Sequence, residues 1–131
     1  MQVESPSSGN PFHAGCPTRE ILDRIGDRWT VLVVSSLEAG PMRFSELSRH
    51  IEGISQKMLT QTLRGLERDG LATRTVHAAV PPRVDYELTQ LGRTLTGLLA
   101  ALDGWARTHM ADVQASRARY DEVQAAVRRS G

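Results

Sequence analysis

Cysteine and lysine each occur once in this chain of 131 residues, as Cys16 and Lys57. A single cysteine excludes an internal disulfide and a cysteine-rich metal site. The four histidines lie on separate segments without the spacing of metal ligands, so we expect neither a metal nor a cofactor. The sequence has no recognisable Ser-His-Asp set, phosphate-binding glycine loop or pair of catalytic carboxylates, and it therefore does not indicate an enzyme.

Long apolar runs and a strong net charge are absent as well. The most apolar stretch, residues 31–37, is interrupted by Ser35 and Ser36, and no run reaches the length needed to cross a membrane. Residues 1–15 have no basic start followed by an apolar block, so a signal peptide is not indicated. We therefore expect a cytoplasmic protein with no membrane partner. The net charge of +1 does not by itself indicate a nucleic-acid partner.

What the sequence does contain is a series of helix signals. Pro17 predicts the first turn of a helix that follows Cys16. Apolar residues at helical spacing predict a second helix over Arg28–Leu37, with Asp27 as its N-cap. The side chains expected to point inward on this second helix are Trp29, Leu32, Val33 and Leu37.

The next segments have the pattern of a helix-turn-helix unit. Residues 43–50 predict a short helix, and residues 52–54 predict a turn that contains Gly53. Ser55 is a good N-cap for a longer helix, which Gly70 ends. Two helices joined by such a turn are typical of DNA-binding proteins. The inward stripe of the longer helix is expected to consist of Ile54, Met58, Leu59, Leu63 and Leu66.

A β-hairpin is expected directly after this unit. Residues 71–76 and 83–88 predict two strands, joined by a loop that contains Pro81 and Pro82. Thr89 then predicts the N-cap of one long final helix. This order of elements predicts a mainly α protein with a small two-stranded β wing, which is a winged helix-turn-helix fold.

The outward face of the helix that follows Ser55 has the chemistry needed to read DNA. Between residues 53 and 66 there is no Asp or Glu, and the outward side chains supply amide groups and cations for base edges and phosphates. Ser55 and the N–H groups of the first turn can hold a phosphate. A solvated helix face carries similar residues, but the position between a turn and a wing favours DNA. The outward candidates are Gln56, Lys57, Thr60, Gln61, Arg64 and Arg68.

Two further segments are expected to contact DNA. The loop over residues 77–83 has basic groups at both ends, so it can follow the phosphate backbone and place an arginine in the minor groove. A stiff hairpin with a solvated Arg83 is the alternative. The start of the helix over residues 43–50 can bind a phosphate. The candidates in these segments are Arg43, Ser45, Arg74, His77 and Arg83.

In these motifs the chain resembles the HxlR family of bacterial winged-helix regulators. The resemblance implies a homodimer that binds inverted-repeat operators in double-stranded DNA and acts as a repressor or an activator. The resemblance covers approximately residues 16–109, and the matching motifs occur in the same order as in the family. The segments that carry it are CP at 16–17, IGDRW at 25–29, RFSEL at 43–47, GISQKMLT at 53–60, LERDGL at 66–71 and VPPRVDYELTQLG at 80–92.

The final helix independently predicts a dimer. Its apolar residues alternate spacings of four and three, which is the pattern of a helical seam, and the helix is too long for one small domain to cover. The predicted seam consists of Leu91, Leu95, Leu98, Leu102 and Trp105, with Leu99 beside it. The same pattern continues further along the chain with Tyr120, Val123 and Val127. We expect a flexible arm over residues 1–15, a DNA-binding and dimerisation domain over 16–111, and a helical extension over 112–131.

Cys16 is a candidate redox sensor, because a thiol at a helix start is more readily ionised and oxidised. The resemblance adds that several family members sense oxidants or electrophiles through a cysteine at this place. A switch would need a Cys16–Cys16 bond between subunits, a mixed disulfide with a small thiol, or alkylation. A half-buried structural cysteine is the alternative. A regulator of the same fold that responds to a small molecule without a cysteine switch also stays open.

Overall fold

The computed structural model describes residues 10–131. Most of the arm expected over residues 1–15 lies outside the described residues, and its last part, residues 10–15, forms turns. The elements in chain order are α1 (Pro17–Gly26), α2 (Arg28–Leu37), β1 (Met42–Arg43), α3 (Phe44–His50), α4 (Gln56–Arg68), β2 (Ala72–His77), β3 (Arg83–Leu88), α5 (Gln90–Arg93) and α6 (Thr96–Ser130).

The predicted bounds of α4 are confirmed by hydrogen bonds at both ends. At the start, the Oγ of Ser55 accepts a hydrogen bond from the backbone N–H of Met58 at 3.0 Å. At the end, the N–H of Leu71 donates to the carbonyl of Leu66 at 2.8 Å. Gly70 has a φ of +74°, a left-handed conformation that glycine adopts without steric cost. Because both signals act within a few residues, the local sequence is sufficient to define this helix.

The helical core is formed by α2, α3 and α4. The carboxylate of Asp27 accepts from the N–H of Thr30 at 3.4 Å, as expected for the N-cap of α2. The expected inward stripe of α2 is partly wrong, since Leu32 is 43% exposed. Thr30 and Val34 are buried instead, because α2 packs against α1, α3, α4 and β3 rather than against one neighbour. The helical side chains that are at most 1% exposed include Val33, Val34, Leu37, Leu47, Leu59, Leu63 and Leu66.

The wing belongs to a three-stranded antiparallel sheet with the strand order β1-β3-β2. β2 and β3 pair over their whole length, from Ala72 opposite Leu88 to His77 opposite Arg83. β1 adds a third strand that the sequence did not predict, because two residues are too few to show an alternating pattern. Since β1 leads directly into α3, its pairing with β3 fixes the start of α3 beside the wing.

The expectation of one long final helix is wrong. Thr89 caps the short α5, where its Oγ accepts from the N–H of Gly92 at 3.0 Å, and α6 begins separately at Thr96. The Thr89 hydroxyl also donates to the carbonyl of Gly70 at 2.6 Å, so α5 is held in place by contacts with the end of α4. Leu91 therefore lies on α5 and Leu95 between the two helices, and the predicted seam is not carried by a single helix.

The fold divides into two compact units, one that ends at Thr96 and one that comprises Gly97–Gly131. The second unit consists of α6 without its first residue, together with Gly131. The 35 residues of α6 extend for about 52 Å. Its buried residue is Leu99. No helix in residues 10–131 is both long and apolar enough to cross a membrane. The large apolar side chains of α6 that are more than half exposed are Leu98, Leu102, Trp105, Tyr120, Val123 and Val127.

The close approach of α5 to the start of β2 leads to a prediction about stability. Gly92 is buried, and a Cβ at this position would collide with the backbone carbonyl of Leu71. We expect Gly92→Ala to lower the free energy of unfolding by about 1–3 kcal/mol, because backbone must move to make room. Urea unfolding followed by circular dichroism measures this change.

Gly104→Ala is the matched control. Gly104 lies within α6, and a Cβ there has no neighbour within 4 Å. Alanine is favoured over glycine in a helix by about 1 kcal/mol, so this variant is expected to be at least as stable as the parent chain. Equal stability of the Gly92→Ala variant and the parent would contradict the proposed steric conflict.

Candidate nucleic-acid interface

α4 presents a polar face to solvent. Leu59, Leu63 and Leu66 are buried on its opposite side, which fixes the direction of the polar face. The acid-free stretch of the sequence over residues 53–66 therefore supplies only amide, hydroxyl and cationic groups to this surface. The expected DNA-contacting residues of α4 are exposed except for the half-buried Thr60, and they are Gln56, Lys57, Thr60, Gln61, Arg64 and Arg68.

The start of α4 offers backbone donors. The first α-helical hydrogen bond of this helix runs from the N–H of Leu59 to the carbonyl of Ser55 at 2.9 Å. The N–H groups of Gln56 and Lys57 precede it and have no carbonyl one turn earlier to donate to. Such N–H groups at the positive end of a helix bind phosphate oxygens well.

The start of α3 and the wing loop form the two sides of an open groove of about 460 Å³. Arg43 and Ser45 line it from the helix, and Pro82 and Arg83 line it from the wing. Arg83 is therefore a neighbour in space of Arg43 and Ser45, although it is far from them in the chain. The tip of the wing is not basic: Val80 is fully exposed there.

The outer face of the wing has a carboxylate that the sequence analysis did not single out. The Oδ2 of Asp85 is 2.9 Å from the Nε2 of His77, and its Oδ1 is 3.5 Å from the Nε of Arg83. Asp85 also lies opposite Arg43 in the pairing of β1 with β3. His77 and Arg83, the last pair of the hairpin before its loop, are thus both in contact with Asp85. The sequence could have identified Asp85, because side chains alternate between the two faces of a strand and Arg83 and Asp85 therefore share one face of β3.

The other face of the wing meets α4 across a second groove, of about 490 Å³. Arg74 from β2 and Arg64 from α4 line this groove together. Arg74 lies opposite Tyr86 in the register of β2 and β3, so both side chains are on the same face of the sheet. The groove also includes residues that the sequence analysis missed: Phe44, Glu67, Val84 and Tyr86.

Arg68 lies apart from the residues that line these two grooves. It lines a groove of about 530 Å³ at the end of α4, together with α1 residues that include Arg24. In that groove the Nε of Arg24 is 2.8 Å from the Oδ2 of Asp69, an ion pair that joins α1 to the end of α4. The structure therefore does not bring Arg68 together with Arg43 and Arg83.

Cys16 occupies the N-cap position of α1, as expected, but it is fully buried. Solvent does not reach its thiol in this conformation. In the part of the chain that the structure describes, no three His, Cys, Asp or Glu side chains form a group that could hold a metal ion.

Comparisons with known proteins agree with this geometry. Residues 24–114 match the family model described as HxlR-like helix-turn-helix. The HTH-type transcriptional regulator YtfH of Escherichia coli (strain K12) is 44% identical over 109 residues, covering 83% of this chain and 86% of YtfH. A solved structure of the transcriptional regulator ytfH from Salmonella typhimurium is 43% identical, with a TM-score of 0.78 and coverage of 84% of this chain and 98% of that one.

A second solved structure is that of the redox regulator HypR in its reduced form. It is 36% identical to this chain, has a TM-score of 0.70, and covers 76% of this chain and 98% of its own. HypR has also been solved in its oxidised form, at 40% identity and a TM-score of 0.66, covering 71% of this chain and 96% of its own.

Proposed function

The chain belongs to the family of HxlR-like helix-turn-helix proteins, which are DNA-binding transcriptional regulators, and we propose that it binds an inverted-repeat operator as a homodimer and represses transcription there. In this proposal α4 enters the major groove. Gln56, Lys57, Thr60, Gln61 and Arg64 face base edges, while other residues hold the sugar-phosphate backbone. Those backbone contacts are Arg43, Ser45, Ser55, Arg68, Arg74, His77 and Arg83.

The observation that carries this proposal is the arrangement around α4. Its exposed face has no carboxylate over residues 56–66, and the groove between α3 and the wing adds Arg43 and Arg83 beside it. A helix that reads bases needs donors and amide groups on its exposed face and cations at its borders for the phosphates. Gln61 can pair with adenine and Arg64 with guanine through two hydrogen bonds each.

The homodimer part of the proposal is supported by α6. Six large apolar side chains of this helix are more than half exposed, and at helical spacing they fall along one side of it. An apolar stripe of this length is typical of a protein interface. A second copy of the same chain is its expected partner, because a two-fold axis pairs identical stripes and also brings two copies of α4 to successive major grooves.

A response to oxidants through Cys16 is a further part of the proposal. It is supported by the similarity to HypR, which is described as a redox regulator, and by the position of Cys16 at the start of α1. Since the thiol is buried, the first turn of α1 would have to open before it reacts. Two Cys16 thiols from two subunits would then lose two electrons and two protons to the oxidant and form one disulfide.

The base-reading face can be tested with alanine variants of α4. We expect Gln61→Ala and Arg64→Ala each to weaken binding to a duplex selected from a random library by about 10- to 100-fold and to change the preferred base at one position. Arg83→Ala is expected to weaken binding to all duplexes similarly and to reduce the slope of log affinity against log salt by about 1. Fluorescence anisotropy at several salt concentrations measures both effects.

Arg19→Ala is the control for these variants, since Arg19 is exposed on α1 and outside the proposed interface. Unchanged affinity and base preference in all three interface variants would show that the proposed DNA-binding surface is wrong.

The repressor part of the proposal is tested separately with a reporter gene. A reporter gene behind the selected duplex should be expressed less when the chain is present.

The dimer can be tested with one charge on the stripe of α6. Leu102→Glu is expected to raise the dissociation constant of the dimer at least about tenfold, because it buries an unpaired carboxylate. Ala111→Glu places the same charge on the opposite side of α6 and should leave the constant unchanged. Sedimentation equilibrium distinguishes these results, and a parent chain that remains monomeric at micromolar concentration would exclude the dimer.

The redox response can be tested with Cys16→Ser. Diamide is expected to release the parent chain from its operator and to produce a disulfide-linked dimer on a non-reducing gel, with the azo bond of diamide reduced to a hydrazine. Cys16→Ser should bind DNA normally and be insensitive to diamide. If the variant loses DNA binding as readily as the parent, Cys16 is a structural residue and the effector is of another kind.

A further inference from the structure

The groove between α4 and the wing contains groups that a phosphate contact does not require. This groove has a volume of about 490 Å³. Two arginines are accompanied there by two aromatic rings, a valine and a single carboxylate. The complete lining is Phe44, Thr60, Arg64, Glu67, Arg74, Val84 and Tyr86.

Tyr86 supplies an unused hydrogen-bonding group. The residue is only 8% exposed, and its hydroxyl makes no hydrogen bond with any residue among 10–131. The hydroxyl oxygen is not one of the fully enclosed atoms without a partner, so solvent reaches it, and Tyr86 lines the groove. Water can therefore bind this hydroxyl, and a ligand oxygen in the groove can take the place of that water.

Arg64 and Arg74 give the groove its charge. Neither arginine forms an ion pair within the described part of the chain, so both guanidinium groups are available to a carboxylate. Phe44 and Val84 line the same groove and offer an apolar surface for a planar ring. Glu67 also lines the groove, and its carboxylate disfavours a second anionic group on the ligand.

We propose that this groove binds a small aromatic monocarboxylate. The carboxylate pairs with Arg64 and Arg74, one of its oxygens accepts from the Tyr86 hydroxyl, and the ring lies against Phe44 and Val84. Because Arg64 is also a proposed base contact, the bound ligand competes with DNA. This competition rests on the proposed function, whereas binding of the ligand to the isolated protein does not.

Benzoate is the probe for the site. Titration of the ¹⁵N-labelled protein with benzoate, followed in ¹H–¹⁵N spectra without DNA, is expected to saturate with a Kd of about 1 mM or tighter. The shifted amides should include those of Phe44, Arg74 and Tyr86. Acetate, phenol and inorganic phosphate at matched ionic strength are the comparison probes, since each has only the charge or only the ring.

Two variants test the assigned contacts. Tyr86→Phe keeps the ring in the core and removes only the hydroxyl, so it should weaken benzoate binding by about 3- to 10-fold. Arg74→Gln, on an exposed side chain that carries little risk of unfolding, should weaken it by at least about tenfold. Arg19→Gln removes an exposed arginine outside the groove and should leave the Kd unchanged.

The results separate this proposal from the proposed function. Absence of saturable benzoate binding, or equal weakening by Arg19→Gln and Arg74→Gln, would overturn the site even if the chain binds its operator. If phosphate or acetate binds as tightly as benzoate, the groove is a simple anion site and the aromatic ligand is wrong. If benzoate binds but does not raise the Kd for a selected duplex, the competition is wrong. If benzoate binds and no duplex is bound, the site stands and the DNA proposal fails.

Discussion

The packing of α4 against α2 is the interaction on which the rest of this structure depends. Leu59, Leu63 and Leu66 are at most 1% exposed, and burying a leucine side chain contributes about 1.5–3 kcal/mol. This burial fixes the rotation of α4 about its axis, so that its polar face has a single orientation. A rotation of one residue would move a leucine to the surface and a cation into the core, at a large cost.

The strand β3 separates two different surroundings, one on each of its faces. Tyr86 points to the side where α4 lies and lines a groove with Arg64 and Arg74. Asp85, the next residue back along the strand, points to the other side and contacts His77 and Arg83. One strand therefore separates an aromatic, cationic groove from a small network of charged groups. The short β1 holds the start of α3 beside both the groove and the charged network.

Features governed by neighbouring residues were predicted well. The N-caps at Asp27 and Ser55 and the end of α4 at Gly70 depend on hydrogen bonds that span at most five residues. β1 and the break before α6 were missed, because they depend on contacts with residues distant in the chain. β1 forms through β3, and α5 is held by the hydrogen bond between Thr89 and Gly70. The burial of Cys16 and the exposure of Leu32 were also set by packing.

The sequence by itself determined the winged helix-turn-helix order, the bounds of α4 and the residue types on its outward face. These follow from helical periodicity and local capping, which need no information about other elements. Only the tertiary structure decided which of those residues share a surface. Arg64, Arg74 and Tyr86 meet in one groove, Arg43 meets Arg83 in another, and Arg68 lies with α1. The physical reason is that such contacts form between side chains from different elements, whose distances are set by the packing of α4 and the pairing of β3.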